Sequence, residues 1–176
     1  MICGVAASPA RVFDMICVDG GQGLLAALPN VYQRVPVQRC WAHKIRNVLN
    51  KVRVADQPAV KRALHKIMNA QNAPQARAAA RRFADRFEDD YPKAVHCLRD
   101  DLDDLLTCFR YKTEQERKRV RTTNAIERRF REVRRRTRPM GVFQDCTSMD
   151  RILFAVFTRE NKSQGVRSLF SLTQGI

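Results

Sequence analysis

From Ala42 to about Arg159 the apolar residues recur at helical spacing, which leaves two short stretches, both before residue 41, where a strand can form. Ile45, Val48, Leu49 and Val52 follow the i, i+3, i+4, i+7 rule of one buried helix face. Val60, Leu64 and Ile67 do the same after Pro58, which fits a first helical turn because its missing N–H is not needed there. An Ala- and Arg-rich helix is expected from about Pro74 to Phe87, and another from about Lys93 to Phe109. A further helix starts near Thr123 or Asn124 with the stripe Ile126, Phe130 and Val133, and stops at Arg138-Pro139-Met140-Gly141. The last runs from about Thr147 to Arg159 and buries Ile152, Leu153, Ala155, Val156 and Phe157. The chain is therefore expected to be α/β but mostly helical.

The first strand candidate is residues 12–18, Val-Phe-Asp-Met-Ile-Cys-Val, broken by Asp19-Gly20-Gly21. A short helix follows from Gly23 to Leu28 and stops at Pro29-Asn30. Residues 35–39 form the second candidate, with Pro36 marking an edge or the strand's first residue.

Charge narrows the partner. The 176 residues carry a net charge of +15, which favours a polyanion, most simply nucleic acid. The charge is polarised. Residues 85–104 hold eight acids against three bases, whereas residues 114–138 hold eleven bases against four acids. That asymmetry predicts one oriented binding face. No stretch approaches the roughly 18 apolar residues of a membrane helix, and no basic-then-apolar leader opens the sequence. The six cysteines lack a tight framework and are expected to be reduced thiols of a cytoplasmic protein.

Three sites stand out, each with more than one reading. Asp19 either makes a turn with its glycines or projects from a strand end into a ligand crevice. Glu127 folds back onto the Asn124 backbone as a variant capping box, pairs with Arg128 or Arg131, or is an acid set among phosphate-binding arginines. Arg128, Arg131, Arg135 and Arg138 recur at i, i+3, i+7, i+10 and line one face that can follow a phosphate backbone. Cys40-Trp41-Ala42-His43 has the spacing of half a zinc site but no second pair, so zinc is not expected; otherwise it is a buried thiol, a core tryptophan and a helix-entry histidine.

In chain order the motifs are a strand with Asp19-Gly20, then Gly23-Leu24, then Gln38-Arg39-Cys40 with His43, Arg46 and Asn47. Thr123-Asn124 with Glu127-Arg128, Arg136-Thr137, and Gly141 with Phe143 complete the series. Together they resemble the C-terminal part of Mutator-type transposases of bacterial insertion sequences, over about residues 13–160. The resemblance implies a ribonuclease H-like core interrupted by an all-helical insertion. It implies DNA cleavage and joining by an Asp-Asp-Glu triad with Mg²⁺ or Mn²⁺. Asp19 would be the second acid and Glu127 the third, both metal ligands. Cys40, His43 and Asn124 would be family-motif residues, and Arg128, Arg131, Arg135, Arg136 and Arg138 would face DNA.

On that reading residues 1–53 are a remnant of the core, 54–120 the insertion, 121–160 the closing core helices and 161–176 a flexible tail. Asp-Gly-Gly replaces the family's usual Asp-Gly-His, and the family's first Asp lies further upstream than this sequence reaches. The expectation is thus an N-terminally truncated transposase, nucleoid-associated, inactive alone, acting on transposon ends and target DNA and associating with itself or with a full-length transposase. The competing reading is a non-catalytic basic DNA- or RNA-binding protein.

Overall fold

A computed structural model describes residues 14–141 and 145–163. These fall into two compact units, one ending at Thr123 and the other beginning at Asn124. The first unit contains β1 (Ile16–Val18), α1 (Gln22–Val31), β2 (Val37–Arg39), α2 (Trp41–Leu49), α3 (Gln57–Met68), α4 (Ala73–Phe87), α5 (Pro92–Asp100), α6 (Leu102–Leu105) and α7 (Glu114–Val120). The second contains α8 (Asn124–Thr137) and α9 (Cys146–Ser163). Mostly helical α/β architecture is what the sequence predicts.

β1 and β2 pair in parallel, with Ile16 opposite Val37, Cys17 opposite Gln38 and Val18 opposite Arg39. β1 is shorter than the apolar run predicts, and residues 12–13 lie outside the described residues. Pro36 sits just before β2, and its carbonyl accepts the Ile16 N–H at 2.9 Å, so the proline costs the ladder no donor.

α1 runs through Pro29 rather than stopping there. Proline removes one intrahelical donor, but here it lies in the last turn, and the helix ends two residues later. The helix expected from 93 to 109 is instead broken at Asp101, whose φ of −114° and ψ of 12° leave the helical region. α5 precedes that break; α6 and a 3₁₀ turn over Thr107–Arg110 follow it. The cause is tertiary: the partly buried Asp101 carboxylate is drawn into an ion pair with the buried cations of Arg39 and Lys44.

One apolar core joins α2 to α6. Trp41, Val48, Val60, Leu64, Ile67, Phe83, Val95, Leu98 and Leu105 are its buried members. The Phe83 and Phe87 rings lie 5.1 Å apart in a tilted pair. The helix ends are fixed by side chains. Asn72 accepts the Gln75 N–H at 2.9 Å at the start of α4, and Thr113 and Glu116 form a reciprocal capping box at the start of α7.

In the second unit Val133 is the only buried residue of the α8 stripe; Ile126 and Phe130 are about half exposed. The Phe130 ring meets the edge of Phe157 on α9 at 6.1 Å. On α9, Val156 is buried and Ile152, Leu153 and Phe157 are partly covered, but Ala155 is exposed, contrary to expectation. A helix of 18 residues buries one stripe, and Ala155 falls beside it. α9 also continues through Ser163, past the point where a loose tail is expected, and residues 164–176 lie outside the described residues. No described helix is long and apolar enough to cross a membrane.

Candidate functional site

Asp19 directly follows β1, at the carboxyl end of a parallel strand. Its Oδ1 accepts the Gly21 N–H at 3.0 Å, so the turn chemistry is realised, and the side chain remains exposed. The two sequence readings are therefore compatible in one residue. Gly20 adopts φ +103°, and a Cβ there would fall 2.5–2.7 Å from the Arg39 guanidinium. Both the backbone conformation and the close approach demand glycine at this position.

Arg39 is itself held from below. Its Nη2 donates to Asp101 Oδ2 at 3.1 Å, and the Lys44 ammonium pairs with the same oxygen. Lys44 also donates to the Cys97 carbonyl at 2.9 Å. Burial alone would raise the Asp101 carboxyl, but the Lys44 hydrogen bond and the charges of Lys44 and Arg39 outweigh it and hold it below the ordinary carboxylate range. Arg39 Nη1 is buried with no hydrogen-bond partner among the described residues.

Gln38 and Trp41 complete the block. The Gln38 amide donates to Leu105 O at 3.0 Å and accepts the Cys108 N–H at 2.6 Å. Trp41 Nε1 donates to the same Leu105 carbonyl at 2.9 Å. The run Gln38-Arg39-Cys40-Trp41 thus ties the strand that neighbours Asp19 to the turn after α6. Sequence reasoning marked Cys40 and Trp41, took Gln38 only as a motif match with no role, and missed Asp101. A glutamine between valine and arginine in a three-residue strand carries no local sign of burial, and Asp101 is hidden in an acidic run.

Cys40 and His43 are adjacent in space. His43 Nδ1 lies 3.3 Å from Cys40 Sγ, and Thr123 donates to that sulfur from both N and Oγ at 3.3 Å. A hydrogen bond from the Cys17 thiol, then those from Thr123 and His43, favour the thiolate of Cys40 against the opposing effect of burial. The same bond and burial push Cys17 the other way.

Asn124 opens α8, and Glu127 lies exposed in its first turn. Arg128, Arg131, Arg135 and Arg138 are all exposed, as their spacing predicts, and Arg136 is partly covered. Arg135 and Arg136 each pair with Glu132 at 2.9 Å, so one acid within the helix tempers the basic face. Asp19 belongs to the first unit and Glu127 to the second. Among the described residues no three or more His, Cys, Asp or Glu side chains gather as a metal-binding cluster.

The model of the transposase, Mutator family, matches residues 11–164. The transposase for insertion sequence element IST2 of Acidithiobacillus ferrooxidans is 42% identical over 119 residues, 68% of this chain and 40% of that protein. The transposase for element IS6120 of Mycolicibacterium smegmatis is 39% identical over 120 residues, 68% of this chain and 37% of that protein. The transposase for element IS256 in transposon Tn4001 of Staphylococcus aureus is 30% identical over 146 residues, covering 81% and 37%. The chain spans about 40% or less of the length of these curated relatives. With a family match across nearly all of its length, the chain belongs to the Mutator family of transposases.

Proposed function

We propose that this chain is the part of a DNA transposase that carries two metal-binding carboxylates, Asp19 and Glu127, and an arginine-rich helix for phosphates. The observation that carries the reading is the family match over residues 11–164, joined to an exposed acid at the carboxyl end of a parallel strand. On this reading the β1–α1–β2–α2 segment belongs to a ribonuclease H-like core, residues 54–120 are a helical insertion, and α8 and α9 return to the core. The family resemblance assigns the first acid of the triad to a position upstream of Asp19.

The donor chemistry suits the ion. Two carboxylates offer hard oxygen ligands, and Mg²⁺ keeps several waters and takes substrate phosphates as well, so few protein ligands are needed. Bound there, divalent ions would activate a water or a 3′-hydroxyl and stabilise the leaving oxygen at phosphorus. The chain's own residues then have plain tasks. The Gly21 N–H orients Asp19 through Oδ1, and Arg39 packs against the turn that presents it. Arg128, Arg131, Arg135, Arg136 and Arg138 hold the phosphate backbone without reading bases.

Two measurements test the reading. In a transposase that includes this chain, Asp19→Asn or Glu127→Gln is expected to slow Mg²⁺-dependent cleavage of element-end DNA by about 10²–10³-fold, the scale for removing one charge-stabilising group. Undiminished cleavage in either variant removes the assignment and leaves a non-catalytic nucleic-acid-binding role. Duplex DNA binding by the chain is expected to weaken with salt at a log–log slope of about −4, counting about five arginines less one acid at −0.9 each. Arg128→Ala should flatten the slope by about 1. A slope near zero would rule out the phosphate-binding helix.

A further inference from the structure

The segment between α7 and α8 has no regular structure, yet five residues outside it hold it. The Trp41 N–H, at the start of α2, donates to Arg121 O at 3.0 Å. Arg121 Nη1 donates to Met68 O at 3.2 Å and Asn69 Oδ1 at 3.0 Å, at the end of α3. Thr123 donates twice to Cys40 Sγ, and its Oγ lies 3.5 Å from His43 Nδ1. Thr123 and Cys40 are both buried, at 8% and 1% exposure.

Cys40 occupies the N-cap position of α2 but its side chain makes no capping bond to a backbone N–H of that helix. Cysteine is not among the residues favoured there, since Ser, Thr, Asp or Asn would cap better. Its sulfur instead accepts from a residue 83 positions on. Sulfur is large enough to take several donors at once, and the thiolate form, favoured first by the Cys17 hydrogen bond and then by those of Thr123 and His43, accepts them more strongly than a neutral thiol.

We propose that Cys40, with His43 beside it, is a positioning residue: its sulfur anchors Thr123 and so fixes the point from which the chain enters the helix bearing Glu127. The importance of that helix rests on the role proposed for Glu127; the anchor itself does not. A ligand carboxylate must be held to within about 0.5 Å, and the first turn of a helix inherits the freedom of the residue before it. The competing role for Cys-x-x-His is as half of a zinc site, with a metal rather than Thr123 as the partner that fixes the sulfur.

Amide exchange on the chain decides between them. Thr123→Val and Cys40→Ala should each speed exchange at residue 123 and in the first two turns of α8 by about tenfold, the size of one lost hydrogen bond. Amides of α3 and α4 should be unchanged. Thr123→Ser should restore protection, and the double variant Cys40→Ala, Thr123→Val should be no faster than either single one. The ultraviolet thiolate signal that disappears in Cys40→Ala should titrate at higher pH in Thr123→Val. Unaltered exchange around residue 123, or exchange raised equally throughout, overturns the proposal. So does a Cys40-dependent charge-transfer band with Co²⁺, which would make the pair a metal site. Glu127→Gln should leave exchange protection of Thr123 intact, so failure of the anchor is distinct from failure of the metal-site reading.

Discussion

Replacing Asp101 by Asn is expected to destabilise the first unit by about 3–5 kcal/mol at pH 7, the range for breaking a buried ion pair from one side. The reason is what remains. Lys44 and Arg39 are 6% and 10% exposed at their side chains, and both direct their charge at Asp101 Oδ2. Lys44 keeps the Cys97 carbonyl, but Arg39 already has one buried nitrogen without a partner. A neutral amide leaves both cations uncompensated. The pH dependence gives a second handle. The folded-state pKa of Asp101 is depressed, so its contribution is complete above the unfolded value of about 4 and is lost as pH falls through the lower folded value. Urea unfolding of wild type and variant should therefore differ most near neutrality and converge in acid, once the pH has fallen through the depressed folded value. A difference that is constant from pH 7 to pH 2 would show that the ion pair is not its source.

Trp41→Ala is expected to cost about 3–5 kcal/mol, the usual scale for removing a large aromatic side chain from a packed core. Trp41 is fully buried at the strand-to-helix step and touches both the core and the Leu105 carbonyl. Trp41→Phe separates the two contributions. That carbonyl still accepts from Gln38, so no acceptor is orphaned, and the loss should fall to about 1–2 kcal/mol. Circular dichroism across a denaturant series would read both, with the midpoint moving and the slope unchanged. Equal losses in the two variants would place the energy in the hydrogen bond rather than in the packing.

The helices were legible because their apolar spacing is local information. α2 and α3 lie where Ile45 and Val60 indicate, Pro58 sits in the first turn of α3 and α4 starts close to Pro74 as read, while the Asn72 cap of α4 was not foreseen. Asp19-Gly20-Gly21 was legible as a turn, since only glycine tolerates φ +103° at Gly20 without strain. What failed depends on partners far along the chain. The break at Asp101 interrupts a run with good helical spacing, and its cause lies 57 and 62 residues upstream at Lys44 and Arg39. The stripe Ile126-Phe130-Val133 has the right period, yet only Val133 is covered, because period alone does not supply enough facing surface. Thr123 matched a family motif with no local hint that its hydroxyl would meet a sulfur.

The polar ties of Gln38, Arg39, Cys40 and Trp41 span 62 to 83 residues of sequence. In kinetic terms they are contacts of high order. The helical hairpin of α3 and α4 can assemble from near neighbours, but β2 gains nothing from Asp101, Leu105 or Cys108 until the helices between have folded and closed that long loop. The seat of β2 behind the Asp19 turn is therefore expected to form after the α3–α4 hairpin, once the helical scaffold comes back to meet it.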